Sequence, residues 1–129
     1  MVIIITVVAA LIEKDNKFLI AKRATGDQNV IGRWEFPGGK VEAKESEKDA
    51  IEREIKEEFD LEIKAIKFIT NNVCEYPSKT IDLRLYECKY IKGQFNLHDH
   101  SEYRFVSKDE ISNYDLCPAD VPLVKAIKE

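Results

Sequence analysis

Residues 46–61, SEKDAIEREIKEEFDL, fit one regular structure. At 100° per residue Ile51, Ile55 and Phe59 form a single stripe, the pattern of a helix laid on a core. Ser46 with Asp49 three residues later is close to a capping box, so the helix starts at about residue 46 or 47. It should stop near Phe59. The helix carries an electrostatic problem. Glu54, Glu57 and Glu58 are three and four residues apart, and like charges at that spacing repel by a few tenths of a kcal/mol. Glu58 falls inside the apolar stripe and Glu54 on its edge. A charge turned toward a core is costly unless something pairs with it. Either Arg53 and nearby lysines neutralise the cluster, or a metal ion does.

The segments around this helix read mainly as strands. Residues 2–12 are rich in β-branched side chains and predict a buried strand. EKDNK is turn chemistry and FLIAKR a second strand, so the two form a hairpin. ATGDQNVIGR is a polar loop, WEF a short strand and PGGK a turn. Strands are expected at 62–73 and 80–91, and a short one, EYRFV, at 102–106. SKDE at 107–110 is a second capping box that opens a short helix. A last helix is expected from about Asp120 to the end, with Pro122 in its first turn. There is no repeat, low-complexity segment or linker, so residues 1–129 read as one domain. The fold class is α+β: a mixed sheet with helices at fixed points rather than alternating βαβ units.

Composition narrows the function. The net charge is −4, so a general basic face for nucleic-acid polymers is not expected. A small anionic substrate would need a cation to bridge it to the protein. The cysteines, Cys74, Cys88 and Cys117, are odd in number and form no C-x-x-C, which argues against a disulfide framework or a zinc site. A reducing cytoplasm is the expected location. The opening apolar run is too short to span a bilayer as a helix, and no positive charge precedes it as in a signal peptide, so no membrane partner is expected.

The glutamates suit a hard cation. Carboxylate oxygens favour Mg²⁺, or Mn²⁺, ions that keep several waters and bridge to phosphates. Gly38 and Gly39 let the backbone approach the same ion and a phosphate chain. Arg53 cannot lose its proton and can clamp carboxylates bidentately, which makes it an orienter of the glutamates. Lys40, directly after the glycines, is a candidate phosphate contact, and Arg23, at the end of the second strand, a weaker one. HDHSE at 98–102 could hold metal through His98 and His100, but reads more simply as a polar loop.

Gly39, Glu45 five residues on, then Arg53-Glu54-Ile55, Glu57-Glu58, Asp60 and Leu61 form a longer pattern. It resembles the Nudix box, G-x5-E-x7-R-E-U-x-E-E-x-G-U with U aliphatic, and departs from it only at Asp60, where the box has glycine. The approach WEFPGGKVE resembles the MutT-like branch. The resemblance implies an α/β/α sandwich and Mg²⁺-dependent hydrolysis of a nucleoside diphosphate linked to another group. In the MutT-like branch the substrate is a nucleoside triphosphate, split to monophosphate and pyrophosphate, often to clear damaged nucleotides. It implies Glu54, Glu57 and Glu58 as catalytic metal ligands with Gly38. It also implies an acidic residue before a late strand that positions the attacking water, with Glu102 first and Asp99 second.

The segment CPADVPLVKAI at 117–127 resembles the PAD-x-PL segment of the CTP pyrophosphohydrolase group. At the matching position the 8-oxo-dGTP diphosphatases have a base-contacting asparagine. Asp120 therefore reads either as a base contact or as the cap of the last helix. As an ionised acceptor it would take the amino group of cytosine, or the paired N–H donors of an oxidised guanine, and disfavour uracil and thymine. Tyr76 is a candidate base-stacking aromatic; with Pro77 it also falls near a position marked in other nucleoside-diphosphate-X hydrolases. A non-catalytic Nudix-fold binding module typically loses box glutamates, which this chain keeps. A monomer and a homodimer are both compatible with the sequence.

Overall fold

The apolar opening run becomes β1, Ile4–Lys14, a central strand of a mixed sheet. The computed structural model describes residues 3–128, so Val2, where this strand was expected to begin, and Glu129 lie outside the described residues. Asp15 and Asn16, with φ of 53° and 63°, turn the chain into β2, Lys17–Arg23. Positive φ at both central residues is the turn geometry that matches the twist of a hairpin, and β1 and β2 pair antiparallel from Lys14↔Lys17.

β3, Trp34–Glu35, pairs with β2. PGGK, expected as a turn, instead supplies β4, Gly38–Lys40, which runs antiparallel to β1 through Val7↔Lys40 and Ala9↔Gly38. Glycine explains the difference: a Cβ on Gly38 would overlap the Val8 carbonyl, so only a bare backbone fits against β1. Helix α1, Glu47–Phe59, follows as expected; Ser46 Oγ accepts the Asp49 N–H at 3.1 Å. β5, Leu61–Glu75, and β6, Thr80–Gly93, run slightly longer than the sequence indicates. β7, His100–Val106, starts two residues earlier, because His100 pairs opposite Arg23 of β2.

Ser107 donates to Glu110 Oε1 through both its N–H and its hydroxyl, but the helix this opens is a single 3₁₀ turn, Ile111–Asn113. The last helix, α2, spans Leu123–Lys128. It begins after Pro122 rather than at Asp120; residues 117–124 form successive tight turns, with the Asp120 carbonyl accepting the Leu123 N–H.

β1 and β6 pair parallel, and the other strand pairs are antiparallel. The sheet order is β3-β2-β1-β6-β5, with β4 on β1 and β7 on β2. Alternation along β1 divides the core. Val8, Ala10 and Ile12 face α1 with Ile51, Ile55 and Phe59; Ala9 and Leu11 face the opposite side with Trp34, Phe36, Ile111 and Leu123. The result is an α/β/α sandwich. Ala50, Ile51, Ile55 and Phe59 are all fully buried, and each of the larger ones contributes about 1.5–3 kcal/mol by leaving water. That packing fixes the rotation of α1 and so the direction in which its glutamates point. Among the described residues no helix is long and apolar enough to cross a membrane.

Candidate active site

Arg53 organises the acidic residues. Its Nε donates to Glu45 Oε2 at 2.7 Å and its Nη2 to Glu45 Oε1 at 3.0 Å, a bidentate clamp. Nη1 reaches Glu54 Oε1 at 2.9 Å and Glu57 Oε2 at 3.2 Å, and Nη2 also reaches the Lys40 carbonyl at 3.2 Å. One guanidinium thus ties the glycine strand β4, the loop before α1 and α1 itself. Its hydrogen bonds hold the Glu45 carboxyl down at about 2, while burial raises Glu54 despite the arginine beside it.

Glu58 has no such partner. Its Oε2 is buried and makes no hydrogen bond. Burial first, then the charges of Glu35, Glu54 and Asp99, push its carboxyl up to about 8. A bare backbone lies nearby: a Cβ on Gly39 would run into the Glu54 carboxylate. Among the described residues no three carboxylate, imidazole or thiol groups converge into a ready metal cluster. Glu54 and Glu57 are instead turned onto Arg53. The residues nonetheless fit a hard divalent cation: the donors are all oxygen, one of them is buried and unsatisfied, and the glycines leave room beside them.

A second network lies next to Glu58. Arg23 Nη1 donates to Glu35 Oε1 at 3.1 Å, and His100 Nε2 meets Glu35 Oε2 at 2.8 Å. The His100 side chain is 2% exposed, stacks on Phe59 and leaves Nδ1 without a partner. His100 is therefore a buried strand residue, not part of a polar loop; only His98 stays exposed. Asp99 lies close enough for its charge to act on Glu58, and its carbonyl accepts the Ala24 N–H at 3.2 Å. Glu102, the first candidate for the water-positioning acid, pairs instead with Lys22 at 3.9 Å and Arg104 at 3.3 Å. Glu35 went unrecognised in the sequence, and His100 was weighed only as a metal ligand in what read as a polar loop. The signal for Glu35 was present: Trp34 and Phe36 are buried in the core on the α2 side, so period-two alternation puts Glu35 on the face toward α1.

Asp120 is 5% exposed, and its Oδ2 accepts the Phe36 N–H at 2.9 Å. This contact, rather than a side-chain cap on α2, is what holds its carboxyl. The segment carrying it is laid beside β3 by the bonds Trp34 N–H to Asp115 O and Cys117 N–H to Trp34 O. Burial, then the Glu35 charge, pushes the Asp120 carboxyl up to about 8. Burial thus favours a protonated carboxyl, able to donate as well as accept, over the ionised acceptor expected from the sequence. Tyr76 is exposed and lines, with Arg23, Asp27 and Lys79, a hollow of about 360 Å³. Lys40 is exposed at the end of β4.

Comparison with known proteins identifies the family. The NUDIX domain family model matches residues 3–127. The chain is 39% identical over 123 residues to the CTP pyrophosphohydrolase of Escherichia coli (strain K12), covering 95% of this chain and 90% of that protein. It superposes on the solution structure of the E. coli ORF135 protein with a TM-score of 0.89 and 34% identity, over 98% of this chain and 90% of that one. The crystal structure of the MutT protein from Methanosarcina mazei Go1 gives a TM-score of 0.84 and 26% identity, over 98% and 95%. The chain belongs to the Nudix family, in its MutT-like branch.

Proposed function

We propose that this protein is a Mg²⁺-dependent nucleoside triphosphate pyrophosphohydrolase that releases a nucleoside monophosphate and pyrophosphate, with cytosine nucleotides as its preferred substrates. The observation that carries the reading is the Arg53-organised set of Glu45, Glu54 and Glu57 next to Glu58, whose buried Oε2 lacks any partner. So many carboxylates beside an anionic triphosphate repel it unless a cation stands between them. Glu54, Glu57 and Glu58, with the Gly38 backbone, would hold Mg²⁺, for which Mn²⁺ can substitute. When bound, the ion offsets phosphate charge and makes water a stronger nucleophile.

The chain's own residues do the rest. Arg53 keeps Glu54 and Glu57 aimed at one place. Asp99, whose charge reaches Glu58, takes the water-orienting role in preference to Glu102, which is engaged by Lys22 and Arg104. Lys40 and Arg23 contact the phosphates, and Tyr76 flanks the base. Asp120, neutral at pH 7, presents one donor and one acceptor, which match N3 and the amino group of cytosine. Its ionised form presents acceptors only and suits the adjacent ring and amino N–H groups of an oxidised guanine, so 8-oxo-dGTP is the second reading.

The test is pyrophosphate release from CTP, dCTP, 5-substituted dCTP, 8-oxo-dGTP, UTP and dTTP, with and without Mg²⁺. Release that requires Mg²⁺ and is fastest with a cytosine nucleotide supports the proposal. Absence of release from every triphosphate overturns it.

A further inference from the structure

The one departure from the Nudix box is placed where it can act. Asp60 caps α1 in the left-handed conformation, φ 59° and ψ 30°, with its N–H on the Lys56 carbonyl. An aspartate there costs more than glycine would. The side chain supplies something glycine could not. Asp60 Oδ2 accepts from Asn96 Nδ2 at 3.0 Å and meets His98 Nε2 at 3.3 Å. These partners sit 36 and 38 residues away in sequence, on the connection between β6 and β7. The same connection is tied to α1 twice more: the Asn96 N–H donates to the Phe59 carbonyl at 3.1 Å, and the His100 ring stacks on the Phe59 ring at 5.1 Å. Asp99 lies between His98 and His100.

We infer that Asp60 is a positioning residue: it pins the connection between β6 and β7, and with it Asp99, to the end of α1. The inference rests on the water-orienting role proposed for Asp99. Main-chain and ring contacts hold the connection as well, among them the Ala24 N–H on the Asp99 carbonyl at 3.2 Å, and Asp60 adds the side-chain contacts. The Asn96 main chain and the His100 ring anchor the connection on either side of Asp99, and the Asp60 carboxylate grips the side chains between them. Asp60, Asn96 and His98 are all partly or fully exposed at their polar ends. Their bonds therefore add little to overall stability, and their effect falls on where the connection rests.

Asp60→Gly, which restores the box glycine, tests this directly. Glycine takes the same backbone conformation without strain, so the fold should persist, checked by thermal melting. Turnover should nevertheless fall, by about tenfold in kcat, because misplacing a reacting group by an ångström costs up to about 100-fold. KM should stay within about twofold, since Asp60 touches no substrate. Combined Asn96→Ala and His98→Ala, which leave the helix cap alone, should reproduce the loss, and Asp60→Asn, which can still accept one of the bonds, should recover most of it. Asp60→Gly added to Asp99→Asn should cost nothing more than Asp99→Asn alone. Wild-type kcat in Asp60→Gly alongside an impaired Asp99→Asn overturns the inference and leaves the role of Asp99 standing. Wild-type kcat in Asp99→Asn itself removes that role, and the inference with it. A loss in Asp60→Gly that the Asn96/His98 variant does not share also overturns it, and makes Asp60 a helix cap alone.

Discussion

Arg53 and Glu45 face each other through two hydrogen bonds, of 2.7 and 3.0 Å, across the loop that leads into α1. The pair joins two box positions eight residues apart and leaves the third arm of the guanidinium free for Glu54 and Glu57. A lysine has the charge but not the fork. Arg53→Lys is expected to lower kcat by about 100-fold, the scale of misplaced catalytic groups, with a smaller change in KM. Equal kcat in the two proteins, measured at saturating substrate and Mg²⁺, would show that charge alone suffices.

Glu57→Gln and Glu58→Gln each remove one ligand charge without changing volume. Both should lower kcat by orders of magnitude at limiting Mg²⁺, and chelation should abolish wild-type turnover. The two should differ in metal-free stability. Glu58 in the fold holds its proton up to about 8, whereas the unfolded chain releases it near the ordinary carboxylate value. Wild-type stability therefore falls as pH rises through that window. Glu58→Gln should remove its share of the decline, and melting curves from pH 5 to 8 check this.

Lys40→Ala should weaken triphosphate handling. A charge-assisted phosphate contact is worth roughly 1.5–3 kcal/mol, or about 10- to 100-fold in kcat/KM. A change under about threefold would reduce Lys40 to a surface lysine.

Base choice should depend on pH through Asp120. Its carboxyl is pushed up to about 8, so it is mostly neutral below that value and mostly ionised above. Raising pH through 8 should lower the ratio of dCTP to 8-oxo-dGTP turnover, as the donor that meets cytosine N3 is lost. Asp120→Asn, whose amide donates and accepts at every pH, should flatten the trend. A wild-type ratio that does not vary with pH would separate Asp120 from base recognition.

Helix α1 and its glutamates were legible in the sequence because their determinants are local: the stripe, the cap at Ser46 and the fixed spacing from Gly39 to Leu61 all lie within one short segment. Contacts between distant segments were not. Nothing near Asp120 announces that its carboxyl accepts from Phe36, 84 residues away. Whether Asp99 or Glu102 approaches α1 depends on where β7 begins, and that depends on the pairing of His100 with Arg23. PGGK reads as a turn by its composition, yet it is a strand because β1 accepts only a backbone without Cβ at Gly38.

The parallel pairing of β1 with β6 has a consequence for how the chain is made. Val8 lies beside Arg84, so β1 waits for β6, made later, before the middle of the sheet can close. Until then β1 has β2 and β4 as partners but lacks the long parallel edge that β6 supplies. Pairing across so long a loop is slow compared with local hairpins, and β1, as a run of β-branched residues with that edge open, is the segment most open to wrong partners meanwhile. Release of the nascent chain before residue 93 should thus leave the helix and its glutamates made but the platform beneath them unbuilt.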